Sequence, residues 1–271
     1  MGDAIQVEAA AAGLVTIRLN RPARMNALSQ AAARTLRAAL DRLADDASVR
    51  VVVVTGTGSA FCAGWELGSP ILDEAGRPLA GDPGMSDRWR LQQDFAGLVR
   101  RLRQLDATVI AAVNGPAVGF GFALALAADI RLAAQSASFH VGAVRIGLSA
   151  GECGISYHLP RLIGASRAFE AMLTGDPIDA ATAARLGLVS TVVDDAALTD
   201  AACALAGRVL RNSPYATRQT KALMWRNLDA PSLDAALELE NRVQVIGLET
   251  DDFREAAAAF AAKRPPSFSG R

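Results

Sequence analysis

The chain has 271 residues, 51% of them apolar, which suits one domain with room for a helical appendage. Acidic and basic residues balance at 28 each, so the net charge is zero, which excludes a basic nucleic-acid footprint and a polybasic membrane patch. The cysteines, Cys62, Cys153 and Cys203, are odd in number and form no paired motif. No basic region followed by an apolar run stands at the N-terminus. Reduced thiols and a cytoplasmic location are expected. The longest apolar stretch, 117–128, contains glycines and is too short to span a bilayer, so no membrane partner is expected.

Residues 13–19 alternate as a strand. Ser29 then caps a helix near 29–46, with Leu36, Leu40 and Leu43 on one side. Strand 49–55 is apolar almost throughout and runs into a turn from Gly56 to Leu67. Residues 68–87 hold Gly68, Pro70, Gly76, Pro78, Gly81, Pro83 and Gly84, and read as a mobile active-site loop. A helix near 87–104 leads to strand 108–113, a Gly-spaced turn at Gly119-Phe120-Gly121, and a helix over 120–128. Strands are expected at 130–133 and around 138–141, and helices near 152–163, 165–173, 179–186 and 195–211. Residues 214–263 read as helical throughout. Alternating strands and helices imply an α/β fold with parallel strands and helices outside them.

Two of these turns point to chemistry. Each follows a buried strand. The first N–H groups of a helix have no internal partner and carry the positive end of its dipole. Glycine lets a ligand approach such a backbone closely. Two turns of this kind, at 56–67 and 114–121, can aim two N–H groups at one negatively charged oxygen.

Here a resemblance enters. The runs Phe61–Leu67 and Asn114–Gly121 resemble motifs of the crotonase (enoyl-CoA hydratase/isomerase) superfamily. The run Leu19–Leu28 is similar to its N-terminal coenzyme A segment. Pro160–Gly164, Leu173–Gly175, Ala184–Val189 and Phe260–Pro266 also match in order, so the resemblance covers nearly the whole chain. It implies a spiral of ββα units over 1–200 and a C-terminal helical trimerisation region over 201–271.

The resemblance also implies roles. The oxyanion donors would be the backbone N–H groups of Trp65 and Phe120. Phe120 stands where the family often has glycine, and its ring would narrow the acyl pocket or point away from it. Both positions that carry the hydratase glutamates are alanines, Ala123 and Ala143, so the two-glutamate hydration mechanism is in doubt. Glu152, at a predicted helix start, stands about where other branches carry a catalytic aspartate. The competing reading of Glu152 is an acid that complements a helix dipole. His140 and His158 are read as structural, with His140 also able to orient a carboxylate, and Glu66 and Cys62 are read as structural. No metal site is expected. Coenzyme A would meet Arg24 through a phosphate, the backbone of Ala27, Ala63 and Gly64 through adenine or pantetheine, and Lys263 from a neighbouring subunit.

The expected protein is an enzyme acting on an enoyl-CoA thioester, with isomerisation by one acid–base residue favoured over hydration. A non-catalytic acyl-CoA-binding protein and a crotonase-type hydrolase or dehalogenase stand as alternatives. No cofactor is expected beyond the CoA of the substrate. The expected assembly is a homotrimer or a dimer of trimers. Apolar residues along the C-terminal helices, among them Leu237, Val243, Val245, Ile246, Leu248, Phe253 and Phe260, exceed what one small core needs.

Overall fold

The computed structural model describes residues 3–271. Its centre is set by uninterrupted β-branched and small apolar runs. Strand β1 (Ile5–Ala11) pairs antiparallel with β2 (Leu14–Leu19). From β2 the sheet continues in parallel through β3 (Val51–Gly56), β4 (Thr108–Val113), β6 (Ile130–Ala134) and β9 (Thr191–Val193). Every residue of β3 is buried, as expected for a parallel strand covered on both faces. Its alternate side chains serve different layers. Val52 and Val54 join the core under the N-terminal helices, while Val51 and Val53 pack against α7 (Leu198–Leu210).

The first layer is built by α1 (Gln30–Asp45), α2 (Met85–Gln104) and α3 (Phe120–Ala127). The Ser29 hydroxyl accepts from the Ala32 N–H and starts α1, whose Ala32, Ala33, Leu36 and Leu40 face inward. All eight residues of α3 are buried, which explains why that helix carries no charge. A second sheet of three strands joins β5 (Pro116–Val118) in parallel to β7 (Ser138–His140), and β7 antiparallel to β8 (Ile178–Asp179). Helices α4 (Ile155–Ile163), α5 (Ala165–Thr174) and α6 (Ala180–Arg185) follow the chain through this part.

Three helices close the chain: α8 (Pro214–Asn227), α9 (Leu233–Leu248) and α10 (Asp251–Ala261). The region expected to be helical, 214–263, is so, with two interruptions between the helices. Ser232 and Thr250 each accept from a backbone N–H three residues on and start a new helix. Neither α8 nor α9 holds a buried residue. The boundary expected at 200 falls within α7, which packs on the sheet.

The expected mobile loop also differs. Residues 71–79 form a small hairpin, with Leu79 N–H donating to Ile71 (2.9 Å) and Asp73 N–H to Arg77 (2.8 Å). Buried Gln30 fastens it: its Oε1 accepts from the Leu72 N–H at 2.6 Å and its Nε2 donates to Asp94 at 2.8 Å. Helix α2 begins at Met85, and Asp87 accepts from the Gly84 N–H.

Candidate active site

The two Gly-containing turns lie against each other. Phe61 and Cys62 N–H donate to the Pro116 carbonyl at 3.1 and 3.2 Å, and Val118 N–H donates back to Cys62 at 2.9 Å. Two asparagines brace the first turn. Buried Asn26 donates to the Thr57 and Ala60 carbonyls, and Asn114 accepts from Gly56 N–H and donates to Gly58. Gly64 has φ 91°, and a Cβ there would lie 2.7 Å from the Val118 carbonyl oxygen and 3.4 Å from the Phe120 nitrogen. Only glycine permits both the conformation and the approach.

The donor geometry follows. Leu28 bridges both neighbours of Trp65: its N–H donates to Gly64 (2.8 Å), and its carbonyl accepts from Glu66 (2.9 Å). In a parallel bridge this turns the intervening N–H, that of Trp65, the other way. Phe120 is the first residue of α3. Among the described residues neither N–H has a protein acceptor. The preceding residue, Gly119, is fixed by its N–H on the His140 carbonyl (2.9 Å) and by its own carbonyl, which accepts from Ala123 (3.0 Å). The Phe120 ring points away from the turn into the core and meets Phe95 edge-on at 4.7 Å, so it leaves the backbone N–H uncovered.

Glu152 reaches this point from a segment 33 residues further along the chain. Its Oε1 lies 3.1 Å from where a Cβ on Gly119 would be. The carboxyl is half-buried, and burial raises its pKa above the ordinary value. Helix α4 starts three residues later, at Ile155, and no side chain caps it. The carboxylate therefore leans toward the donor turn and does not serve as a helix cap. Next to it, the Cys153 thiol is pushed up to about 12 by burial and then by the Glu152 charge, which keeps it protonated. Ala123 and Ala143 are buried and offer no acid.

Neither histidine orients Glu152. His140 Nε2 is paired with Ser138 Oγ at 2.8 Å, and its backbone carbonyl, not its ring, serves the turn. His158 is buried edge-on between Tyr157 and Trp225, and burial, then Arg103, Arg131 and Arg161, hold its pKa at about 4. Cys62 is fully buried, its thiol pushed up to about 12 by burial, and it accepts from the Gly64 N–H as part of the core. Glu66 is held below the usual carboxylate range, first by its hydrogen bonds from Arg21.

The other expected ligand contacts are spread out. Arg24 is exposed and lines a cleft of about 350 Å³ with Ser29, Glu66, Leu67, Ser69 and Pro70. Ala27 N–H donates to Arg24 and its carbonyl accepts from Arg21, while Ala63 N–H donates to Met25. These N–H groups are engaged within the chain, as is the Gly64 carbonyl. Lys263 follows α10 in a left-handed turn and does not line the Arg24 cleft. A larger cavity, about 920 Å³, lies under α8–α10 around the buried Lys221–Asp129 pair and shares no lining residue with the two turns. No cluster of three or more metal-ligating side chains occurs among the described residues.

Sequence reasoning missed Arg21 and both asparagines. The signal available was polar residues inside otherwise small or apolar runs, where a buried polar group must find partners.

The fold is an α/β spiral in which the two Gly-containing turns lie against each other, and residues 9–271 match the model of the enoyl-CoA hydratase/isomerase family. The chain belongs to that family, within the crotonase superfamily, and is an enzyme of the hydratase/isomerase type. It is 44% identical over 261 residues to the "probable enoyl-CoA hydratase EchA12" of Mycobacterium tuberculosis, covering 94% of this chain and 89% of the relative. It is 36% identical over 259 residues to the 1,2-epoxyphenylacetyl-CoA isomerase of Escherichia coli, covering 96% of each. The crystal structure of a "probable enoyl-CoA hydratase/isomerase" from Mycobacterium abscessus superposes with a TM-score of 0.91 at 36% identity, over 100% of both chains. Among the described residues no helix is long and apolar enough to cross a membrane.

Proposed function

We propose that the protein isomerises an enoyl-CoA thioester through one acid–base residue. The thioester oxygen would sit between the N–H groups of Trp65 and Phe120. Glu152, as the carboxylate, takes a proton from Cα. The electron pair moves onto the thioester oxygen, where the two N–H groups stabilise it. One such donor is worth about 10²–10³ in rate in other enzymes. The protonated Glu152 then returns the proton at Cγ, and the double bond has moved. Atoms balance without water, metal or a second acid.

One observation carries this reading: the Glu152 carboxylate lies against Gly119, the residue before the second donor, while Ala123 and Ala143 bring no carboxyl. Hydration needs a base for water and an acid for Cα, and a lone carboxyl shuttling one proton is better suited to isomerisation. The raised pKa of Glu152 makes its ionised form a stronger base.

In this reading the CoA supplies the only cofactor chemistry. Its phosphates meet Arg24 at the mouth of the cleft, with Lys263 offered from a neighbouring subunit. A trimer or a dimer of trimers covers the exposed Val245, Ile246, Leu248, Phe253 and Phe260. The cytoplasm is the expected location. The test is product analysis with purified protein and β,γ-enoyl-CoA esters of short, long, branched and aromatic acyl groups. A shifted double bond is expected. A hydroxyacyl or free-acid product in its place, or no turnover, overturns the reading.

A further inference from the structure

Arg21 is the strongest polar feature beside the donor pair that the chemistry above does not use. Its guanidinium forks onto Glu66, with Nη1 donating to Oε2 at 2.7 Å and Nη2 to Oε1 at 3.0 Å. Nη1 also donates to the Ala27 carbonyl at 2.6 Å. Side-chain exposure is 25% for Arg21 and 20% for Glu66, so the pair is sheltered from solvent. Arg24, by contrast, is 71% exposed and only approaches Glu66, at 3.9 Å. Arg21 is itself fixed, because its backbone N–H donates to the buried Asn26 side chain at 2.8 Å.

The position of these contacts matters more than their number. Glu66 directly follows Trp65, and Ala27 directly precedes Leu28. Leu28 and Trp65 are the two partners of the bridge that turns the Trp65 N–H outward. One planar guanidinium therefore braces both sides of that bridge. A forked Arg–carboxylate contact fixes orientation as well as distance. An ordinary surface ion pair would not.

We propose that Arg21 is a positioning residue that holds the Trp65 peptide so that its N–H aims at the thioester oxygen. This rests on the donor-pair reading above. Arg21 touches no reacting atom and acts through Glu66, Ala27 and the bridge. A purely structural ion pair would affect stability and leave polarisation of the bound carbonyl unchanged.

The probe is para-dimethylaminocinnamoyl-CoA, a push–pull enoyl thioester whose absorption moves to longer wavelength as its carbonyl is polarised. Spectra are taken at saturation with wild type, Arg21→Met, Arg21→Lys and Glu66→Gln, alongside circular dichroism and the probe Kd. Wild type should give a clear red shift. In Arg21→Met the shift should shrink strongly while Kd changes by less than about threefold, because Arg21 does not line the Arg24 cleft. Isomerisation kcat should fall by up to about 10²-fold with KM little changed, the size expected for a misplaced group near the reacting centre. Arg21→Lys, which keeps the charge but loses the fork, and Glu66→Gln, which keeps one acceptor oxygen, should give intermediate shifts and supply the test if Arg21→Met does not fold. A full wild-type red shift in folded Arg21→Met, or in both conservative variants, overturns the assignment of Arg21 and leaves the donor pair standing. Wild type that binds the probe with no red shift overturns the donor pair, and the role of Arg21 with it.

Discussion

Replacing Gly119 with alanine should damage the site in two calculable ways. Gly119 has φ 51° and ψ −116°, a conformation that L-residues avoid. Holding alanine there costs about 1–3 kcal/mol. For a chain of this size class each kcal/mol lowers Tm by about 2–4 °C, so a fall of about 2–12 °C is expected. The new methyl would also stand 3.1 Å from Glu152 Oε1, closer than ordinary van der Waals contact, so the carboxylate must retreat. If the backbone relaxes instead, the Phe120 N–H turns. Either movement, on the order of 1 Å, should lower kcat about 10²-fold. The assay pairs differential scanning calorimetry with initial rates of double-bond shift at saturating substrate. CoA-ester affinity should persist, because Gly119 does not line the Arg24 cleft. Gly119→Ala with wild-type Tm and wild-type kcat would refute both the strain and the closeness of Glu152 to the donor turn.

Other consequences follow from named contacts. The base in this mechanism must be ionised, so kcat/KM should rise with pH through an inflection above the ordinary carboxylate value, and Glu152→Gln should abolish that limb. The same raised pKa means that the folded state holds the Glu152 proton more tightly than the unfolded state. Its stabilising contribution is complete below the unfolded pKa and is lost as pH rises through the folded one, so Glu152→Gln should match or exceed wild-type stability at neutral pH in a urea titration. Gln30→Ala removes the acceptor of the Leu72 N–H, and hydrogen exchange across 71–79 should quicken while α1 stays protected. Lys221→Met removes the ammonium partner of Asp129, which keeps hydrogen bonds from the Val109 N–H and Trp225 Nε1; urea unfolding should show a loss of about 3 kcal/mol, the low end for breaking a buried pair, with CoA-ester binding unchanged.

Much of this architecture was legible in residue order. The run Val51–Val54 has no alternation, and its burial on both faces is what such a run requires. Ser29 before α1 and the uncharged run after Gly119 likewise gave helix positions to within about two residues. Strands β5, β8 and β9 were missed because two or three residues carry no periodicity. Strand β1 was missed because most of it is exposed and alanine-rich, so no apolar stripe marks it. The stops at 228–232 and 249–250 had visible caps in Ser232 and Thr250, but the apolar residues on either side masked them. The hairpin after Leu67 escapes the sequence for a different reason. Its Gly/Pro content is real, but Gln30, 42 residues earlier, pins it, and no local pattern shows a partner so distant. The site divides in the same way. The two donor turns announce themselves by glycine spacing. The contacts of Glu152 with Gly119 and of Arg21 with Glu66 join residues far apart in sequence and become apparent only when the turns are stacked.

The central claim is that one carboxyl group beside a pair of backbone donors moves a proton between Cα and Cγ. It is tested most directly by single-turnover conversion of a β,γ-enoyl-CoA to its α,β isomer with wild type and Glu152→Gln, at matched occupancy of the CoA ester. The account predicts conversion by wild type without a hydroxyacyl product, and a fall of at least about 10²-fold in Glu152→Gln with binding retained. Equal rates in the two proteins, or hydration as the main wild-type reaction, would contradict it.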